Sequence, residues 1–176
     1  ISNTIERQIE FTRLYEDMGV RAPVWQNIET LVRDAASALP LGAVKVETDC
    51  HNLEIIADSL LLKVFYNLID NALRYGGPAM TEIRVSAQET AGSMTIFVED
   101  NGTGISAEEK EKLFTRGFGK NTGLGLFLSR EILAITGITI TETGEPGDGA
   151  RFVIAVPKGA WRIAAPAPDR DSLPGN

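Results

Sequence analysis

Two hydrophobic periods share this chain. Ile5, Ile9, Leu14 and Met18 recur at roughly helical spacing with charged residues between them, so residues 1–18 read as a helical arm that Gly19 and Pro23 bring to a stop. A second helix is predicted from Trp25 to Leu39, ahead of Pro40 and Gly42. The period then falls to two. VKVETD (44–49) alternates as a strand, and LEIIA (53–57) follows as its expected hairpin partner. A longer helix begins at Asp58 or Ser59, either a good N-cap, and ends at Gly76-Gly77-Pro78. Strands at 81–89 and 94–99 meet at a turn around Ala91-Gly92. A short helix at 106–114, a Gly-rich loop to Gly125, a helix over 126–136 and strands at 138–143 and 150–156 complete the pattern. From Ala164 the chain turns Pro-rich and polar, and residues 161–176 are expected to be a disordered tail.

This order of elements predicts an α+β fold. It is a two-layer α/β sandwich with a mixed, mostly antiparallel sheet covered by helices on one face, plus the N-terminal helical arm. The expected division is an arm over 1–20, a body over 21–160 and a tail over 161–176.

Composition narrows the class. With 176 residues, 43% of them hydrophobic, the chain can bury one sizeable core. A net charge of −7 argues against a nucleic-acid or anionic-membrane surface. No run approaches the roughly 18 apolar residues that a membrane helix needs. A single cysteine, Cys50, excludes an internal disulfide, and with one histidine it cannot build a structural zinc site. The chain starts at Ile1 without a methionine and is expected to be part of a longer protein.

The helix FYNLIDNALRYGG (65–77) carries the first chemical signal. At about 100° per residue, with Asn67 at 0°, Asn71 falls near 40°, Arg74 near −20° and Tyr75 near 80°. Leu61, Phe65, Leu68, Ile69 and Ala72 occupy the opposite arc. A solvated stripe would normally use Glu, Lys and Gln, which are better helix formers than Asn. An amide oxygen can hold a hard cation, a guanidinium can fork onto phosphate, and a Tyr ring can lie against a base. The plainer alternative is an amphipathic helix whose asparagines cap neighbouring loops.

Two further motifs follow. In VEDNGTGIS (98–106) an apolar strand ends in Asp-x-Gly-x-Gly, where a carboxylate can accept from an exocyclic amine and glycines admit a close ligand. It could equally be an acidic turn. In GKNTGLGLFLSREIL (119–133) glycines open into an apolar helix, whose free N–H groups suit an anion, with Lys120 as a nearby charge. The P-loop spacing is absent, and no parallel βαβ unit frames a dinucleotide motif.

The order of these motifs is more specific than any one of them. N-x-x-x-N-A-x-R-Y, then D-x-G-x-G, then G-L-G-L, then G-A-R-F resembles the catalytic ATP-binding domain of sensor histidine kinases, over about residues 44–157. These belong to the superfamily of gyrase, the heat-shock chaperones and the mismatch-repair ATPases. The resemblance implies ATP and Mg2+ as ligands. It makes Asn71 the metal ligand, sets Asn67 in the phosphate region, Arg74 at the phosphates and Tyr75 against adenine, with Asn67, Asn71 and Arg74 as the catalytic set. It gives Asp100 the adenine amino group, with Gly102, Gly104 and Ile105 shaping that pocket. Residues 115–122 become a lid holding Lys120 and Thr122, anchored by Phe114 and Phe118, with Gly123, Leu124, Gly125 and Leu126 at its hinge. Two departures stand out: the lid phenylalanines are four apart where many members have three, and Ala150 replaces a common threonine.

The resemblance also implies partners. Residues 1–20 become the end of the second helix of a dimerisation hairpin whose phosphoacceptor histidine lies upstream, and the full-length protein becomes a homodimer. A response regulator receiver domain is the onward acceptor. No nucleic acid and no membrane contact is expected for this stretch, which is expected to be cytoplasmic whether its parent is soluble or anchored. His51, in DCHNLE, has no helical His-Glu context and reads as a strand-end residue rather than a phosphoacceptor. Hydrolases of the superfamily place a water-activating Glu one turn before the metal-binding Asn. Here that position is Asn67, a poor base, which favours a kinase. The alternatives are an anti-sigma-type serine kinase and a degenerate nucleotide-sensing scaffold.

Overall fold

The computed structural model describes Arg13, residues 15–115 and residues 124–165. Of the expected arm, residues 13 and 15–17 are helical, and most of the remainder lies outside the described residues. So do residues 116–123 and the residues from 166 onward.

The body opens with β1 (Val24–Asn27) and α1 (Ile28–Ser37). The helix predicted from Trp25 therefore starts three residues late. Asn27 keeps an extended backbone (φ −80°, ψ 124°) and its Oδ1 accepts the Thr30 N–H at 3.0 Å, so it caps α1 instead of entering it. Next come β2 (Lys45–Asp49), β3 (Leu53–Ala57) and α2 (Leu61–Tyr75). Then β4 (Glu82–Thr90), β5 (Ser93–Asp100), α3 (Ala107–Lys110), α4 (Leu124–Ala134), β6 (Thr139–Glu142), β7 (Arg151–Val156) and β8 (Trp161–Ile163) complete the chain.

The strands form two sheets, ordered β2-β4-β5-β7-β6 and β1-β3-β8. In the first, only β2 and β4 run parallel; the other pairs are antiparallel, with Val85 opposite Val98 and Val98 opposite Phe152. The predicted hairpin of β2 with β3 does not form. Asn52, in the turn between them, has φ of 56°, and the two strands leave for different sheets. The stretch expected as tail from 161 begins with β8, which pairs with β3. There Trp161 donates from Nε1 to the Gly92 carbonyl at 2.9 Å, and the Arg162 guanidinium lies 4.2 Å from the Trp25 ring centre.

The mixed α+β class and the mostly antiparallel sheet are as expected. Alternation in the large sheet buries Ile83, Val85, Ile96, Val98, Phe152 and Ile154 on one face. The core arc of α2 is buried at Leu61, Val64, Phe65, Leu68, Ile69 and Ala72, which leaves its polar stripe for other work. Burial pushes the Cys50 thiol up to about 12, so it packs as a small apolar group.

Neither Asp58 nor Ser59 is the N-cap expected of it: α2 begins at Leu61, Leu60 stands at the cap without a side-chain hydrogen bond, and Asp58 acts just upstream. It is fully buried, and its two oxygens accept the N–H of Gly19 and of Leu60, each at 3.0 Å. One carboxylate thus ties the chain leaving the arm to the entry of α2. Asp58→Ala takes a charged acceptor from both donors, and the expected loss is about 2 kcal/mol of unfolding free energy. Urea titration with an unchanged slope checks it.

Candidate active site

The polar stripe of α2 faces α4. Asn67 Nδ2 donates to the Gly125 carbonyl at 3.1 Å and to Ser129 Oγ at 3.3 Å, while the Ser129 hydroxyl donates to that carbonyl at 2.7 Å. The approach is close: a Cβ on Gly125 would lie 3.4 Å from Asn67 Cγ. Gly125 therefore sits inside the first turn of α4, not in a hinge loop before it, and Leu124 is the first residue of that helix. Asn71 follows one turn after Asn67 and is half-buried. Arg74 is exposed, and its Nε donates to both Asp70 oxygens at 3.0 Å. Tyr75 is 40% exposed.

The Asp-x-Gly-x-Gly loop meets the C-terminal end of the same helix. The Thr103 N–H donates to the Gly76 carbonyl at 3.0 Å, and the Thr103 hydroxyl donates to the Tyr75 carbonyl at 3.3 Å. Gly102 has to be glycine, because a Cβ there would stand 2.3 Å from the Gly76 carbonyl oxygen. Helix α2 is thus flanked by α4 along its middle and by this loop at its end.

Asp100 closes β5. Its Oδ1 accepts the N–H of Gly102 at 2.9 Å and of Ala150 at 3.2 Å. Burial raises its carboxyl above the ordinary value; the two backbone donors oppose that rise, and the charge of Glu142 adds to it. Ile105 packs against the core, Gly104 is half-buried, and Leu126 is a buried residue of α4. Phe114 meets Phe152 edge-on, with ring centres 6.3 Å apart. Lys120, Thr122, Gly123 and the second lid aromatic, Phe118, lie outside the described residues.

His51 is exposed in the β2–β3 turn between Glu29 (3.5 Å) and Asp49 (3.2 Å), neither of which belongs to the site. Sequence reasoning passed over Ser129 and Asn101. Ser129 is fully buried in an otherwise apolar helix, four residues after Gly125, and that lone hydroxyl was a readable signal. Asn101 left less trace: its Oδ1 accepts the N–H groups of Thr81 and Glu82 at 2.9 and 3.1 Å, pinning the Gly-rich loop to β4.

Comparison with known proteins accounts for this arrangement. The family model described as histidine kinase-, DNA gyrase B- and HSP90-like ATPase matches residues 57–160. The sensor-like histidine kinase SenX3 of Mycobacterium tuberculosis is 28% identical over 172 residues, covering 89% of this chain and 42% of that protein. Sensor protein SrrB of Staphylococcus aureus is 37% identical over 105 residues, 54% of this chain and 18% of SrrB. The nucleotide-free catalytic domain of histidine kinase ThkA superposes with a TM-score of 0.65 at 26% identity, covering 78% of this chain and 97% of that one. Full-length ShkA in complex with AMPPNP superposes with a TM-score of 0.68 at 25% identity, covering 91% and 35%. The chain spans less than half the length of the curated relatives it matches.

Proposed function

The chain belongs to the family of histidine kinase-, DNA gyrase B- and HSP90-like ATPases, and from that membership we propose that it is the catalytic domain of a two-component sensor histidine kinase. It binds ATP and passes the γ-phosphoryl group to a histidine on helices upstream of it. Asn67 carries this reading. A hydrolase needs a base one turn before the metal-binding position, and here that place holds an amide whose nitrogen is committed to Gly125 and Ser129. An amide cannot take a proton from water at neutral pH. The incoming nucleophile must therefore bring its own reactivity, as an imidazole does.

The donor set suits the nucleotide and its cation. Asp100 holds two backbone N–H groups on Oδ1, which leaves Oδ2 to accept from the adenine amino group. Asn71 offers a hard amide oxygen to Mg2+. Bound magnesium neutralises charge across the phosphates. Arg74 exchanges Asp70 for phosphate oxygens at little cost, since an exposed pair four residues apart in a helix is worth only about 0.5 kcal/mol. Tyr75 covers one face of the base. Catalysis rests on positioning and charge neutralisation.

The arm is the end of a dimerisation helix, the full-length protein is a homodimer, and a response regulator receiver domain takes the phosphoryl group onward. The domain works in the cytoplasm; among the described residues no helix is long and apolar enough to cross a membrane. Calorimetric titration with a non-hydrolysable ATP analogue tests the proposal. Micromolar binding that tightens with magnesium, together with labelling of a supplied acceptor hairpin, is expected. Binding without labelling would favour a nucleotide-sensing scaffold, and no binding in either condition would sink the kinase reading.

A further inference from the structure

A second carboxylate lies behind the Asp-x-Gly-x-Gly turn. Glu142 ends β6, and its side chain is only 2% exposed. A carboxylate this dry needs its charge compensated, and here Oε2 has an ion-pair partner but no hydrogen bond among the described residues. Its Oε1 accepts the N–H of Gly144 at 2.7 Å and of Arg151 at 3.0 Å. Its Oε2 faces Lys110 Nζ at 3.0 Å, and the same ammonium donates to the Gly144 carbonyl. Lys110 is the last residue of α3, so one cation fastens that helix to the loop over 143–150.

The partner at Arg151 gives this cluster its meaning. Arg151 follows Ala150, whose N–H sits on Asp100 Oδ1. In an extended strand successive N–H groups point to opposite sides. In the sheet β7 lies between β5 and β6. Asp100, from the β5 side, and Glu142, from the β6 side, therefore grip two consecutive N–H groups where β7 begins. The loop between them is held to the Asp-x-Gly-x-Gly turn by the Gly147 N–H, which donates to the Thr103 carbonyl at 2.7 Å.

We propose that Glu142, neutralised by Lys110, is a positioning residue for base recognition: it fixes the start of β7 so that the Ala150 N–H meets Asp100 Oδ1 and Oδ2 stays available to the adenine amino group. This rests on the reading of Asp100 as the adenine acceptor. The role belongs to Oε1, while Lys110 makes the buried charge tolerable. An apolar pair at 110 and 142 would fill the same space without gripping Arg151.

The test is the affinity of the full 176-residue chain for non-hydrolysable ATP and GTP analogues, measured by calorimetry beside thermal unfolding. The unmutated chain is expected to prefer the ATP analogue by at least about tenfold, the scale of one hydrogen bond to a charged group. Glu142→Gln keeps an acceptor for both N–H groups and is expected to hold that preference within about twofold. Glu142→Ala is expected to lose about tenfold in ATP-analogue affinity, with the GTP analogue little changed. The double variant Lys110→Leu, Glu142→Leu separates positioning from stability, because apolar replacement of a buried ion pair restores packing. Its melting temperature is expected to recover while the preference stays lost. Recovery of both would overturn the proposal, as would a Glu142→Ala chain that keeps the preference; if Glu142→Ala does not fold, the double variant decides. No preference in the unmutated chain would overturn the reading of Asp100 instead.

Discussion

Asn71→Ala lowers phosphoryl transfer to a supplied acceptor helix by about a thousandfold, the scale of losing a group that organises charge in the transition state. The same substitution leaves the fold nearly untouched. Asn71 lies on the polar stripe of α2, away from the arc that buries Phe65, Leu68 and Ile69. Alanine is also the better helix former, by about 0.5 kcal/mol, which offsets much of the lost half-buried contact. The decisive measurement is analogue affinity against magnesium concentration. The unmutated chain is expected to bind more tightly as the metal is added, and the variant to show one weak affinity throughout. A variant that unfolds would make Asn71 a structural asparagine. Asn67 behaves differently, since its amide bridges two helices through Gly125 and Ser129 and its loss is expected to lower the melting temperature as well.

Asp100→Asn weakens ATP-analogue binding by about a hundredfold, enough to abolish or reverse the preference over guanine nucleotides. An asparagine Oδ1 still accepts the Gly102 and Ala150 N–H groups, so the loop keeps its shape. The other carboxylate oxygen becomes an NH2, which repels the adenine amino group and suits a carbonyl at that position of the base. Stability moves the other way. The folded carboxyl is raised above its ordinary 3.8, chiefly by burial, so the folded chain holds this proton more tightly than the unfolded one. The stability that Asp100 contributes is therefore largest in acid and declines as pH rises from 3.8 through the raised value. At pH 7 the neutral asparagine removes that penalty, and the variant is expected to melt no lower than the unmutated chain. At pH 3, where the aspartate is protonated, any advantage disappears. Thermal unfolding at both pH values checks the sign.

Much of this was legible because it is local. The buried face of α2 follows from the spacing of Leu61, Phe65, Leu68, Ile69 and Ala72, and the strands at 82–90, 93–100 and 151–156 follow from short β-branched and apolar runs bounded by turn residues. The glycines that end α2 and the Asp-x-Gly-x-Gly turn are backbone requirements that show in residue type alone. The β2–β3 hairpin was misread for a related reason. Two alternating runs around a short polar turn look alike whether the strands pair with each other or part, and no local feature marked β2 as the parallel neighbour of β4. Trp161–Ile163 was read as tail because three residues carry too short a pattern; β8 exists only because the edge of β3 is there to receive it.

The sequence by itself determined which arc of α2 is apolar, that this helix ends at Gly76-Gly77, and the ordered set of Asn, Asp and Gly positions that defines the family. These depend on side-chain period and backbone freedom, which act over a few residues. Only the tertiary structure decided what those positions touch. The Asn67 amide meets a carbonyl 58 residues away, and Asp100 meets an N–H 50 residues away. Glu142 and Lys110, ordinary charges in the sequence, become the clamp behind Asp100 only when β7 is laid between β5 and β6. Hydrogen-bond partners that distant leave no periodic trace, because the chain between them is free to vary so long as it returns to the same place.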